Sequence, residues 1–219
     1  MPQTLKINPR QPEYELVRQA MLILQAGGVV AYPTETFYGL AVDAMNGGAI
    51  ERIFQIKGRQ FSKPIALIAG SKYEIGNLVA EIPVAAQRLM RAFWPGPLTL
   101  LFSASLMINP RLTAGTGKIG IRVSSHPIAD NLANSLSGPI TATSANLSGA
   151  PECRTAGEVL TSLSDQVDLI IDGGPAPGGK GSTFMDITTD PPACLREGAI
   201  PLKIIQDALN GIKENHRPQ

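Results

Sequence analysis

Along this chain, apolar positions fall into two alternating patterns: short unbroken runs, and sets spaced three or four apart. Leu16, Val17, Ala20, Met21 and Leu24 recur at helical spacing, and Gly27-Gly28 supplies the stop. A buried strand over 29–32 breaks at Pro33 and resumes over 39–42. A second helix is predicted from about 48 to 57, with Ile50, Ile53 and Phe54 on one face and Lys57 continuing that face at its end. Further strands are predicted at 65–69, 98–102, 119–123, 139–143, 167–171 and 183–188, with a short one near 194–195. Helical patterns cover about 72–79, 83–93, 127–136, 155–163 and 201–212, and Trp94-Pro95-Gly96-Pro97 ends the second of these sharply. Residues 1–12 read as an extended polar arm, 13–212 as one domain and 213–219 as a frayed tail.

The alternation of helices and buried strands, with 43% hydrophobic and 17% charged residues in 219, predicts an α/β domain with one sizeable core. The net charge of +1 gives no bulk attraction to nucleic acid, although local basic clusters remain open. Cys153 and Cys194 have no metal or redox spacing and fit a reducing, cytoplasmic setting. Two histidines, His126 and His216, are too few for a histidine-based metal site, and no metal site is predicted. The first residues are too polar for a secretory signal, and no apolar run is long enough to span a membrane.

Candidate chemistry begins in the turn at 33–38. A plain hairpin would place Asn-Gly or Asp-Gly there. This chain places a proline followed by Thr34, Glu35, Thr36 and Tyr38, groups suited to binding something. Lys57 reads equally as a snorkelling stem at a helix end and as an ammonium aimed into a pocket. Arg122, in an otherwise apolar strand, is a ligand candidate. The stretch from Gly174 to Gly181 nearly matches a P-loop. It has Gly181 where a hydroxyl is required, two internal prolines and a strand rather than a helix after it, so a loop lying over a ligand is the better reading. No Ser-His-Asp or Cys-His set occurs, since G-x-S-x-G is absent and His126 precedes a proline at a helix start. What does occur is a scatter of cations at element ends (Lys57, Arg59, Lys63, Lys118, Arg122, Lys180 and Arg196) beside hydroxyl loops at 34–36, 143–148 and 182–183. That set suits a polyanion held by Arg and Lys, and reads with equal weight as a solvated surface with ordinary turns.

Seven segments resemble the YrdC-like domain of threonylcarbamoyl-AMP synthases. They are Tyr32-Pro-Thr-Glu-Thr-Phe-Tyr-Gly39, Lys57-Gly-Arg59, Trp94-Pro-Gly-Pro-Leu-Thr99, Ile121-Arg-Val123, Thr143-Ser-Ala-Asn-Leu-Ser-Gly149, Ser182-Thr-Phe-Met-Asp186 and Leu195-Arg-Glu-Gly198. They keep the family's order over nearly the whole chain. The resemblance implies a twisted mixed β-sheet flanked by helices, with a concave basic cavity. It also implies an enzyme that condenses L-threonine, bicarbonate or CO₂, and ATP into L-threonylcarbamoyl-AMP and pyrophosphate. The product would pass to the machinery that installs threonylcarbamoyladenosine in tRNA. By the same resemblance Thr34, Arg122 and Ala142 would meet threonine. Arg59, Lys63, Ser144 and Arg196 would hold ATP with Asn146, and Lys118 and Glu152 are further nucleotide candidates. Lys57 and Arg59 would counter the charge growing on the phosphates, with Mg²⁺ held through phosphates and water. Lys57→Ala or Arg59→Ala is then expected to cut pyrophosphate release steeply and leave the fold intact.

The chain departs from the longer family members in two ways. Ile68 stands where they carry a histidine used on threonine, and their C-terminal extension does not follow Gly198, so any ATP contact or lid it would supply is expected to be absent or replaced by the loop at 173–182. Two other functions compete with this one: an RNA-binding YrdC-like module with weak tRNA contact and no catalysis, and a paralogue acting on another small amine or acid.

Overall fold

The computed structural model describes residues 1–58, 63–70, 75–136 and 138–211. In chain order these residues form β1 (Gln3–Lys6), α1 (Tyr14–Gln25), β2 (Val30–Tyr32), β3 (Gly39–Ala41), α2 (Gly47–Lys57), β4 (Ala66–Ile68), α3 (Ile75–Leu78) and α4 (Val84–Phe93). There follow β5 (Leu98–Ser103), β6 (Lys118–Arg122), α5 (Pro127–Ser135), β7 (Ile140–Ser144), α6 (Ala156–Leu163), β8 (Leu169–Asp172), β9 (Thr183–Asp186), β10 (Ala193–Arg196) and α7 (Leu202–Asn210). The strands build one mixed sheet in the order β1-β8-β2-β3-β7-β4-β6-β5-β9-β10.

Strand β1 is the element that pattern reading leaves as a polar arm. It lies on the sheet edge and pairs in parallel with β8, Leu5 opposite Ile171. Its side chains are mostly solvated, so no apolar alternation marks it. Backbone bonds and the buried Ile7 hold it in place, with Ile7 N–H donating to Asp172 O at 2.9 Å.

Pairing register assigns every strand residue to one of two faces, because side chains alternate with a period of two. Ala31, Leu40, Leu67, Leu100, Ile121, Ile170 and Met185 share one face, where α2, α3, α4, α6 and α7 bury it in the larger core. On the other face, α1 and α5 cover Val30, Tyr32, Ala41, Ile68, Ile140, Leu169 and Ile171. That smaller cluster does not extend across the whole face. Beyond it the same face carries Gly39, Ser144, Ala142, Ala66, Gly120, Arg122, Thr99 and Phe184. Most of these side chains are small, and the result is a hollow. Gly120 is required there: a Cβ on it would come within 2.6 Å of the Phe184 ring.

Helix α5 begins on an unusual cap. His126 is the N-cap, Nδ1 accepts from Ile128 N–H at 3.2 Å, and Pro127 occupies the first turn. Burial pushes the imidazole pKa down, and the Glu35 carboxylate offsets this only in part. The folded protein therefore keeps His126 neutral while the unfolded chain takes up a proton more readily. This contribution to stability is complete above the ordinary histidine value of about 6.5 and is lost as pH falls below it toward the lowered folded value. Thermal melts between pH 7.5 and 5.5 should show a falling Tm, and His126→Asn, a cap that does not titrate, should flatten that slope. An unchanged slope in the variant would contradict the assignment.

Candidate active site

The hollow is a cavity of about 230 Å³, and its walls come from widely separated places in the chain. The turn at 33–38 supplies Thr34, Thr36, Phe37 and Tyr38. The start of β4 supplies Pro64, Ile65 and Ala66. Strand β6 contributes Arg122, β7 contributes Ala142 to Ser144, and Gly181, Ser182, Phe184 and Arg196 close the far side. A second cavity of about 320 Å³ adjoins it and shares Ser144 and Glu152. Lys57, Lys63, Asn146 and Ser148 complete that second wall.

Of the residues singled out from sequence, Thr34, Arg122, Ala142, Ser144, Glu152 and Arg196 line the first cavity, and Lys57, Lys63 and Asn146 the second. Arg59 lies outside the described residues. Lys118 lines neither cavity. It sits four residues before Arg122 on the same face of β6, roughly 13 Å along the strand, and its Nζ donates to Asp186 Oδ2 at 2.9 Å. Burial works to raise the Asp186 pKa. Hydrogen bonds from Thr188 and Lys118 outweigh it and hold the carboxyl below its usual range. Ile68, on the cavity face, is fully buried under α1 and α5 and is not part of either cavity wall.

Lys57 is fixed by its place on α2. Asn46 caps the helix start, and Gly58 ends it in a left-handed conformation with φ 54°, so Lys57 is the last helical residue. It is only 3% exposed. Its ammonium donates to Ser144 O at 2.6 Å, Asn146 O at 2.8 Å and Asn146 Oδ1 at 3.2 Å, while its own carbonyl accepts from Ser148 N–H at 3.0 Å. Ser144 Oγ adds a 2.6 Å bond to Asn146 Oδ1, and Asn146 Nδ2 donates to Ala150 O. The lysine thus joins both ends of the Ser-Ala-Asn loop, alongside the loop's own hydrogen bonds. The expectation that Lys57 could be removed with the fold intact is therefore revised, because Asn146 O would lose its lysine donor while Ser144 O and Asn146 Oδ1 would each drop to a weaker set of bonds.

Arg122 is buried in the first wall. Its Nη1 lies 3.2 Å from Glu35 Oε1, and both side chains are largely withdrawn from solvent. Glu35 Oε2 accepts from Ser124 Oγ. Pattern reading grouped Glu35 with the polar residues of its turn and named no partner for it, since its partners lie on a strand and loop far along the chain. Thr34 is tied into its turn, donating to Phe37 O at 2.7 Å and accepting from Thr36 N–H at 3.1 Å. Tyr38 Oη donates to Gly174 O at 2.7 Å; burial and the nearby Asp172 charge push its pKa up to about 12, so it stays a neutral donor.

The segment that mimics a P-loop is strapped to the turn by Tyr38 and by Gly178 N–H donating to Thr36 O at 2.8 Å. Strand β9 follows it, not a helix, and Gly181 and Ser182 form part of the cavity wall. Arg196 donates from Nη2 to Ser182 O at 2.9 Å, and Ser182 Oγ and Thr99 Oγ1 share a 2.9 Å hydrogen bond. Sequence reasoning did not single out Thr99, Phe184 or Ser124 as functional residues, although the first two stood inside its motifs. Among the described residues no group of His, Cys, Asp and Glu could hold a metal ion, and Glu152 is the one carboxylate in the two walls. No helix among them is long and apolar enough to cross a membrane.

A mixed sheet with a two-part hollow walled by these motifs defines a recognisable class. The Sua5/YciO/YrdC family model, described as telomere recombination, matches residues 22–198, and the chain belongs to that family. It is 37% identical over 211 residues to the threonylcarbamoyl-AMP synthase of Pyrococcus abyssi, covering 96% of this chain and 62% of that protein. The threonylcarbamoyl-AMP synthase of Vibrio vulnificus is 36% identical over 184 residues, 83% of this chain and 98% of that protein. The structure of P. abyssi Sua5 complexed with L-threonine superposes with a TM-score of 0.90 at 36% identity, covering 94% of this chain and 60% of that one. This chain thus spans about three-fifths of its Pyrococcus relative and matches nearly all of its Vibrio relative.

Proposed function

We propose that this protein is an L-threonylcarbamoyladenylate synthase, the activity named for its Pyrococcus and Vibrio relatives. The observation that carries the reading is the joining of two cavities at Ser144 and Glu152, one walled by Thr34, Arg122 and Ala142 and the other by Lys57, Lys63 and Asn146. Two anionic reactants must meet in this reaction, and two adjoining hollows with cations in both walls suit them.

In this reading the first cavity holds L-threonine with its carboxylate on Arg122, near Thr34 and the Ala142 backbone. The second holds the ATP phosphates against Lys63 and the Ser144–Asn146 loop, with Arg196 and Ser182 closing over the nucleotide. Arg59 joins them on the strength of the Lys-x-Arg motif alone. The threonine ammonium and bicarbonate give the N-carboxylate, one water and one proton. A carbamate oxygen then attacks the α-phosphorus, the bond to the bridging oxygen breaks, and pyrophosphate leaves with its electron pair. No enzyme nucleophile is needed. The chain's residues bind, orient and neutralise charge. Mg²⁺ enters with the nucleotide substrate. Glu152 alone is too few protein oxygens for a cage, so phosphates and water supply its ligands. The product passes to the transferase machinery that modifies tRNA.

The test is pyrophosphate release from ATP in bicarbonate buffer with each amino acid in turn. L-threonine should dominate. Release driven best by another amine would favour the paralogue reading, and salt-sensitive tRNA binding without any turnover would favour the RNA module.

A further inference from the structure

The wall that carries Arg122 has a feature the reaction as described does not use. An arginine side chain in a cavity has several rotatable bonds and needs something behind it to present one geometry. Here that support is Glu35, whose Oε1 lies 3.2 Å from Arg122 Nη1, with the two side chains 13% and 8% exposed. Glu35 is itself fixed from the far side. Ser124 Oγ donates to its second oxygen and accepts His126 N–H at 3.2 Å, which anchors the carboxylate to the start of α5. Glu35 also sits next to Thr34 in the turn, so one carboxylate links the two elements that wall the amino-acid side of the cavity. The link leaves the guanidinium incompletely used: Arg122 Nε and Glu35 Oε1 are both buried without an aligned hydrogen-bond partner. An ion pair built for stability alone would be expected to close into the two-bond fork that Arg and carboxylate favour. This one holds the arginine at one nitrogen.

We propose that Glu35 is a positioning residue for the amino-acid subsite. It sets the orientation of Arg122, and the spacing between Arg122 and the Thr34 turn, for a small α-amino acid carboxylate. This rests on the proposed function only in naming L-threonine as that amino acid. Glu35 does not touch the substrate. Its charge keeps the buried guanidinium partnered between turnovers, and its attachment to Ser124 stops the pair from drifting with the turn.

The test uses Glu35→Gln, which keeps shape and one acceptor oxygen, with Ser124→Ala as a milder second variant. Calorimetric titration with L-threonine and steady-state turnover are measured side by side. The expected result is weaker threonine binding and a higher threonine KM by about ten- to a hundredfold in Glu35→Gln, with ATP KM held within about twofold. Ser124→Ala should move the same way by less. Unchanged threonine affinity in Glu35→Gln would overturn the proposal, as would parallel losses for threonine and ATP accompanying a lower Tm, which mark a purely structural role. If the wild type binds threonine but releases no pyrophosphate, the proposed function fails while the affinity comparison still decides the role of Glu35. A wild type that binds no threonine overturns both.

Discussion

Replacing Lys57 by methionine is expected to lower threonine-dependent pyrophosphate release at least about a hundredfold, and to lower Tm as well. Both effects have one origin. The lysine's three donors end on Ser144 O, Asn146 O and Asn146 Oδ1, and it is buried at the end of a helix that a left-handed glycine stops directly after it. Methionine fills much the same volume and supplies no proton. Ser144 O keeps Asn146 N–H and Asn146 Oδ1 keeps Ser144 Oγ, but Asn146 O loses the lysine's bond at a cost of about 1–3 kcal/mol, which the loop can recover only by moving. That loop carries Ser144 and Asn146 into the wall between the two cavities, so its displacement removes the nucleotide side of the site. Thermal melts and initial-rate assays on the same preparation check the pair of effects. A variant with wild-type Tm and a large rate loss would mean that the ammonium acts on the phosphates directly, the role family resemblance gives it. Wild-type values for both would remove Lys57 from the site.

Arg122→Ala should raise the threonine KM by at least about a hundredfold, because the cavity's other cation, Arg196, lies on the far side and is turned to Ser182 O. It should also destabilise the fold by about 3–5 kcal/mol, the usual result of leaving one half of a buried ion pair alone. The two effects separate in a double variant. Arg122→Ala with Glu35→Gln removes both charges, so most of the lost stability should return and none of the threonine affinity. Arg122→Lys is not a mild change: the ammonium is a point charge and cannot keep one nitrogen on Glu35 while presenting others to a ligand. Recovery of turnover in the double variant would contradict the role given to Arg122.

Much of this was legible in the chain, for reasons that differ from element to element. Apolar periodicity placed the central strands and most helices within a residue or two, since each has a face that must be buried; of the helix predicted at 72–79, residues 72–74 lie outside the described residues and Ile75–Leu78 is helical. Periodicity could not place β1, whose side chains are solvated and whose order comes from backbone bonds to β8. Nine residues named from the family resemblance line the two cavities, six of them inside the quoted motifs, because loops at strand ends gather at one place on a sheet. The resemblance also named Lys118 as a nucleotide candidate, and that residue lies outside both walls. Spacing reveals a cation near Arg122 on the same strand but not the Asp186 carboxylate, two strands away in the sheet, that holds it. Lys57 shows a different limit. Helical spacing gave its burial correctly, yet only the structure reveals that all three of its donors serve the Ser-Ala-Asn loop. Glu35 was read only as one of four polar groups in its turn. Its partners Arg122 and Ser124 lie on β6 and the loop after it, a distance along the chain that no local pattern spans.

The central claim is tested most directly by following labelled bicarbonate. Incubation of the protein with ¹⁴C-bicarbonate, ATP, Mg²⁺ and L-threonine should place the label in an adenylate product whose mass is that of threonylcarbamoyl-AMP. One pyrophosphate should appear per label incorporated, and no label should be incorporated when threonine is left out. Label incorporation that does not depend on threonine, or pyrophosphate release with no labelled adenylate, would contradict the account.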